Sequence, residues 1–148
     1  MTKFLSSSAG FRGFLDVLRN RGLLNYSIEY VNRRRHMIVR SLDMVFYVLY
    51  KDSFFMSFNK QFSGFVKDFP EYKGLGESIN KRWLEKAIQL ESKLVFVYPS
   101  GKMYFFYPKA FKRFSTVYGL KRTQDRGETT YSIPVKILKR FDEQKVNG

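Results

Sequence analysis

The sequence predicts a single α+β domain in which an antiparallel-rich sheet of aromatic hairpins is flanked by helices. The chain has 148 residues, the length of one ordinary domain. Its hydrophobic content of 44%, with 16 Phe and 10 Tyr, supplies enough large side chains to fill one core. Short apolar runs alternate with segments of helical spacing, which favours a mixed architecture. We assign residues 1–148 to one domain and expect residues 1–10 and 142–148 to be flexible tails.

The first half of the chain is expected to begin with a helix and to continue with strands. Residues 11–24 place Phe11, Phe14 and Leu18 on one face, which is the spacing of an amphipathic helix, and Gly22 is a stop signal. The elements expected after this helix are a short strand or turn at 25–31, an apolar strand-forming stretch at 38–50, a turn at 51–53, a returning strand at 54–58 and a helix at 59–69 that Pro70 ends.

The second half contains the clearest helical pattern, in residues 76–91. Ile79, Trp83 and Ala87 lie on one side of this helix. Three acids balance three bases, so we expect the helix to be scaffold rather than a binding face. The later elements are expected to be strands at 94–98 and 102–107 joined by a Pro99-Ser100-Gly101 turn, a helix from Pro108 that Gly119 closes, a strand at 129–133 and a last helix led by Pro134.

Two segments of the sequence resemble each other, which raises the hypothesis of an internal duplication. Residues 45–65 and residues 95–114 both run strand, short turn, aromatic strand and then Lys-x-Phe-x-x-Phe, so that Lys60 corresponds to Lys109. A duplication predicts that one unit of hairpin plus helix occurs twice around a continuous sheet. Chance similarity between two aromatic hairpins is the alternative, because a persuasive repeat extends well beyond a few apolar matches.

Composition excludes several functional classes. The chain has no Cys, so it has no disulfide framework, no thiolate zinc site and no Cys nucleophile. His36 is the one histidine of the chain, so a Ser-His-Asp triad could be built on no other residue. The longest apolar stretch, residues 44–50, is too short to span a membrane, and residues 1–10 lack the apolar run of a secretory signal. We expect a cytoplasmic protein with no membrane partner, no cofactor and no metal site.

Charge gives the strongest indication of function. The chain has 27 Lys and Arg against 13 Asp and Glu, a net charge of +14, and its aromatic content distinguishes it from basic disordered chains. A folded, strongly basic small protein is typical of nucleic-acid binders, in which Arg and Lys donate charge-assisted hydrogen bonds to phosphates. We therefore predict binding to nucleic acid, DNA in preference to RNA, with weak sequence specificity. A homodimer is left open.

Four clusters of bases are the predicted nucleic-acid contacts. They are Arg33, Arg34, Arg35 and Arg40; Lys109, Lys112 and Arg113; Lys121, Arg122 and Arg126; and Lys136, Lys139 and Arg140. Residues 108–141 hold nine bases and two acids, a surplus of seven out of the total of +14, so the main contact surface is expected in this part. A solvated face with no ligand is the alternative reading of any single cluster.

Two other kinds of residue are candidates for contacts. The predicted hairpin carries Tyr98, Tyr104, Phe106 and Tyr107, and exposed aromatic rings stack on unpaired bases, although most of these rings are needed in the core. His36 follows three arginines, which disfavour its protonation and metal binding. We expect His36 to contact phosphate or to be an ordinary surface residue.

The order of elements in residues 76–141 resembles the core of the PDDEXK restriction-like nucleases. In that family a helix Glu, a strand-end Asp and a Glu-x-Lys bind Mg²⁺ and activate water. The resemblance implies that Glu77 matches the helix Glu and Lys109 the Lys. Tyr98 and Tyr107 stand in the positions of the two other acids. The resemblance therefore implies a nucleic-acid-binding relic rather than an active enzyme.

Two alternatives to a binding protein remain at this point. One is a metal-dependent nuclease whose acids meet only in the fold, drawn from Asp43, Asp52, Glu77, Glu85 and Glu91. The other is a structural or assembly protein that coats nucleic acid. A nuclease predicts two or three carboxylates together in a cleft beside a lysine, whereas an assembly protein predicts a large exposed apolar patch.

Overall fold

The computed structural model describes residues 6–54, 58–118, 120–123 and 127–142, and in them it confirms the predicted α+β fold. The strands are β1 (Ser27–Val31), β2 (His36–Arg40), β3 (Val45–Tyr50), β4 (Gly76–Asn80), β5 (Lys93–Val97), β6 (Met103–Phe106), β7 (Lys121–Thr123), β8 (Thr129–Pro134) and β9 (Lys139–Arg140). The helices are α1 (Ser7–Asn20), α2 (Phe58–Gln61), α3 (Ser63–Asp68), α4 (Lys81–Gln89) and α5 (Pro108–Tyr118), with 3-10 helices at Pro70–Tyr72 and Val135–Ile137.

The larger sheet is antiparallel-rich, as predicted, with the strand order β1-β2-β3-β5-β6-β9. Only β3 and β5 pair in parallel among its described strands. A parallel pair needs a long crossover, which the chain makes through α2, α3, β4 and α4. Residues 94–97 of the central strand β5 are all buried, which confirms the expectation of a strand that is covered on both faces.

Alternate residues of this sheet enter two cores on opposite faces. Phe46, Val48 and Val95 belong to the core that α1 covers, where the rings of Phe14 and Phe141 stack with centroids 5.2 Å apart. The opposite core contains Tyr47, Leu49, Leu94 and Phe96 of the sheet and Leu84, Phe111 and Ile133 of the elements that cover it. Helices α4 and α5 and a second sheet of order β4-β8-β7 therefore lie on the side of the large sheet away from α1.

The fold includes residues that were expected to be flexible tails. Ser6 caps α1, because its Oγ accepts a hydrogen bond from the Ala9 amide at 3.2 Å, and the helix begins at Ser7. At the other end, the Asp142 carboxylate accepts hydrogen bonds from Met103 N and from the Arg140 guanidinium. The tail assignment is corrected for residues 6–10 and 142, while residues 1–5 and 143–148 lie outside the described residues.

The predicted helix at 76–91 is a strand followed by a helix. Residues 76–80 form β4, which pairs antiparallel with β8 from Gly76↔Pro134 to Asn80↔Thr130. The helix begins only after Asn80, whose Oδ1 accepts from the Arg82 amide at 2.9 Å. A glycine start favours helix weakly, and a distant strand supplies backbone partners, so tertiary pairing overrides the helical spacing of the side chains.

The helix predicted from Pro134 is also corrected. Pro134 ends β8, residues 135–137 make one 3-10 turn, and Lys139–Arg140 form β9. β9 pairs with the outer edge of β6, through Tyr104↔Arg140 and Phe105↔Lys139. An unpaired strand edge offers hydrogen bonds that this short basic segment completes, and a helix would leave that edge open.

The returning strand predicted at 54–58 is not formed by the described residues of that segment. Phe54 is outside any strand and Phe58 begins α2, while residues 55–57 lie outside the described part. β3 has β2 on one side and β5 on the other, so it has no free edge for a hairpin partner. The duplication therefore lacks its shared hairpin, since β5 continues into β6 whereas β3 continues into α2 and α3.

None of the helices in the described part of the chain combines the length and the apolar composition that crossing a bilayer requires.

Candidate nucleic-acid interface

The first predicted cluster of bases lies in the turn between β1 and β2. Asn32, Arg33 and Arg34 have φ angles of 51°, 56° and 65°, in the left-handed region that favours glycine and asparagine. An arginine in this region costs on the order of 1–2 kcal/mol. Residues 33–35 are exposed, and the guanidinium of Arg34 lies 5.6 Å from the ring centroid of Tyr30. Arg33 and Arg34 therefore occupy a backbone conformation that is unfavourable for their residue type.

His36 is buried, so the expectation of a phosphate contact or a surface role is wrong. Only 6% of it is exposed, because strand alternation turns it toward the core on the α4 side. Its Nδ1 lies 2.8 Å from the Tyr47 hydroxyl, and its Nε2 lies 3.4 Å from Asn32 Nδ2. The Trp83 ring meets the imidazole edge to face, with centroids 4.6 Å apart. His36 therefore joins the β1–β2 turn to α4 in the interior.

Three bases from different elements surround this imidazole. Burial is the largest cause that lowers the pKa of His36, and together with the positive charges of Lys51, Arg35 and Arg82 it brings the pKa to about 4. Lys51 follows β3, Arg35 belongs to the β1–β2 turn, and Arg82 lies in the first turn of α4. The structure thus brings α4 to the Arg33–Arg35 cluster.

Neutral His36 makes stability depend on pH. The unfolded chain takes up a proton near pH 6.5, whereas the folded protein resists protonation until about pH 4. The contribution of His36 is therefore complete above pH 6.5 and is lost as the pH falls toward 4, by about 3 kcal/mol. Urea unfolding at pH 7 and pH 4 is expected to show this loss for the wild type relative to His36→Gln.

The comparison with His36→Gln is needed because Glu77 acts in the opposite direction. Burial raises the pKa of Glu77, so its protonation favours the folded state as the pH falls. That effect is common to both proteins and cancels in the difference. Two curves of stability against pH that run parallel would contradict the assignment of a buried neutral imidazole.

Helix α4 begins with two basic residues, at the end where the helix dipole is positive and disfavours cations. Lys81 and Arg82 occupy the first turn, which contains no acid, and cations at this positive end of a helix are destabilising. Both residues border an open depression of about 720 Å³ beside the helix, together with Lys86, Glu85 and Glu128. Lys81 and Arg82 are exposed, so α4 presents two cations to solvent although the charges of residues 76–91 balance overall.

Helix α5 carries the second predicted cluster to the other side of α4. Lys112 forms an ion pair with Glu85 of α4 and lowers the pKa of that carboxyl group. Lys109 and Arg113 are exposed and lie one helical turn apart. They line a depression of about 380 Å³ between α4 and α5, which Glu91 also borders. The ion pair joins the surfaces of the two helices.

These contacts connect bases of three elements into a surface that we call the basic face. It consists of Arg33–Arg35 in the β1–β2 turn, Lys81, Arg82 and Lys86 on α4, and Lys109, Lys112 and Arg113 on α5. Of the acids near it, Glu29 forms an ion pair with Arg40 at 2.8 Å and Glu85 forms one with Lys112, while Glu91 and Glu128 border its two depressions. Within the described part of the chain, Arg35, Arg82 and Lys86 form no ion pair.

The other predicted contact residues lie on different elements. Lys121 is exposed on β7, at the edge of the smaller sheet. Lys136 and Lys139 are exposed near β9, at the edge of the larger sheet, and Arg140 bonds Asp142 at 2.8 Å. The side chain of Arg122 and all of Arg126 lie outside the described residues. Lys136, Lys139 and Arg140 do not share a helix, because Lys136 lies in the 3-10 turn and Lys139 and Arg140 form β9.

The acids that a nuclease would need do not converge among the described residues. No three His, Cys, Asp or Glu side chains come close enough there to hold a metal ion. Glu77 lies on β4 rather than on a helix, is 1% exposed and accepts a hydrogen bond from the Tyr98 hydroxyl at 2.7 Å. Asp43 and Asp52 are exposed in loops. The resemblance to the PDDEXK nucleases stays a prediction.

Comparison with known proteins adds no family to this description. No protein-family model matches the chain, and no curated protein or solved structure matches it.

Proposed function

We propose that the protein binds nucleic acid, DNA in preference to RNA, through contacts between phosphates and the basic face. One observation carries the proposal: bases from three separate elements meet around α4, and two of these groups occupy places that cost stability. Arg33 and Arg34 of the β1–β2 turn have left-handed backbone conformations, and Lys81 and Arg82 oppose the dipole of α4. Violations of local preference that lie side by side are typical of functional sites.

The chemistry of the basic face suits phosphate oxygens. The guanidinium of Arg82 lies 4.6 Å from the ring centroid of Trp83, which orients it, and Arg clamps phosphate with two parallel hydrogen bonds. Contacts of this kind fix the register of a strand on the protein and do not distinguish one base from another. Binding is therefore expected to tolerate any sequence.

Fluorescence anisotropy on a labelled DNA duplex tests the proposal through its salt dependence. If the basic face neutralises about five phosphates, the logarithm of the association constant falls against the logarithm of salt concentration with a slope of about −4 to −5. Two unrelated duplex sequences are expected to give the same slope, and an RNA duplex of equal length to bind more weakly. A slope near zero, or no binding at low salt, would contradict the proposal.

The assembly alternative has one supporting observation. β1 is the terminal strand of the larger sheet in the described residues, with Ile28 39% and Tyr30 47% exposed. Such an edge is where a second chain adds a strand. Pairing between two copies along β1 would give the homodimer that the sequence left open. Dimerisation and a cytoplasmic location both stay predictions.

A further inference from the structure

Tyr107 is the exposed aromatic residue of the β5–β6 hairpin region. It follows β6, and 54% of it is exposed, whereas Tyr98 and Phe106 are 5% exposed and fill the core. Its ring meets that of Phe105 edge to face at 6.0 Å, and the ammonium group of Lys93 lies 5.4 Å from its centroid. Tyr107 thus packs on Phe105 and Lys93, while about half of its surface is exposed to solvent.

The two sides of Tyr107 differ in chemistry. On one side lies a cavity of about 310 Å³ whose lining residues include Tyr72, Phe106, Phe111 and Lys139. On the other side lies the depression that contains Lys109 and Arg113. Tyr107 and Ala110 line both. An aromatic cavity and a pair of cations are therefore separated by the width of one side chain.

We propose that the aromatic cavity beside Tyr107 receives one unpaired base of a nucleic-acid strand while Lys109 and Arg113 hold the adjoining phosphate. This proposal rests on the proposed function and specifies it, since it makes single strands the preferred ligand. A nucleotide carries a flat aromatic base next to an anionic phosphate. The base matches the aromatic cavity, and the negative phosphate matches the positive charges of Lys109 and Arg113. Base stacking on aromatic side chains is indifferent to sequence, as the phosphate contacts are.

The size of the cavity and the charge of its lining support this occupant. A cavity of about 310 Å³ is at the lower end of the range for small-ligand pockets, about 300–1,000 Å³. Among the described residues that line it, the charged one is Lys139, and Glu91 is the acid that borders the second depression with Lys109 and Arg113. A base that is paired in a duplex cannot enter such a cavity without being extruded, which costs free energy.

The test compares strands that carry equal charge. The ligands are a ten-nucleotide oligothymidylate, the same strand with all of its bases replaced by abasic sites, and a duplex of equal length. The wild type is expected to bind the intact strand about 5- to 100-fold more tightly than the abasic strand, because loss of stacking on one aromatic ring has this effect. Tyr107→Ala is expected to bind both strands equally, and Tyr107→Phe to behave as the wild type.

A second variant keeps Tyr107 and fills the cavity. Ala110 is exposed at its rim, so Ala110→Trp blocks entry of a base without removing an existing contact. It is expected to lose the preference for the intact strand and to keep the affinity for the duplex. A wild type that binds both single strands equally, or a Tyr107→Ala variant that retains the preference, overturns the inference while duplex binding leaves the proposed function standing. Failure to bind any of the three ligands at low salt overturns both.

Discussion

Replacing Glu77 by alanine is expected to destabilise the protein by about 3–5 kcal/mol. The change breaks a buried ion pair and leaves the polar groups that contact the carboxylate without their partner. The Glu77 carboxylate is 1% exposed and accepts from Ser78 N at 2.8 Å, from the Tyr98 hydroxyl at 2.7 Å and from Lys51 Nζ at 3.3 Å. It links β4 of the smaller sheet to the ends of β3 and β5 in the larger sheet. Urea unfolding, followed by the fluorescence of the single Trp83 and by circular dichroism, measures the loss.

Tyr98→Phe is the matched variant. It removes one hydrogen bond to Glu77 and keeps the ring, so it is expected to cost about 1.5–3 kcal/mol. The double variant Glu77→Ala/Tyr98→Phe is expected to cost less than the sum of the two single changes, because the two residues contact each other. A Glu77→Ala protein within about 1 kcal/mol of the wild type would show that the carboxylate is dispensable for joining the two sheets.

Replacing Arg35, Arg82 and Lys86 together by alanine is expected to lower the affinity for duplex DNA by on the order of 100-fold at 0.1 M salt. The slope of log affinity against log salt is expected to become shallower by about 0.9 for each phosphate that the variant no longer neutralises. Stability is expected to stay within about 1 kcal/mol, because none of the three residues forms an ion pair in the described part of the chain, and removing Arg82 relieves its conflict with the helix dipole. Anisotropy and urea unfolding on the same preparation measure both quantities.

Arg12, Arg19 and Lys102 provide the control for total charge. All three are exposed; the two arginines lie on α1, on the far side of the larger sheet, and Lys102 lies in the β5–β6 turn. Their replacement by alanine changes the net charge by the same three units and is expected to lower the affinity only slightly. Equal losses of affinity in the two triple variants would mean that net charge rather than the basic face determines binding.

The sequence by itself determined the elements whose signals are local. The all-apolar run at 94–97 indicated a covered strand, the Pro99-Ser100-Gly101 sequence indicated a turn, and Pro108 indicated the start of a helix, and the structure has all three. The fold class followed from these, because alternating hairpins and amphipathic helices must bury their apolar faces against one another. The charge of +14 and its clusters are also properties of the sequence alone, as is the aromatic content that requires a packed core.

Only the tertiary structure decided the elements that depend on a distant partner, and with them the arrangement of the site. Residues 76–80 and 139–140 are strands because β8 and β6 offer open edges, which no local window contains. The burial of His36 follows from the pairing of β2 with β3 and from the position of Trp83 above it. Arg35 and Arg82 are 47 residues apart in the sequence, and both act on His36 because Trp83 of α4 packs against that imidazole. Long-range pairing and helix packing, rather than propensity, therefore place these charges together.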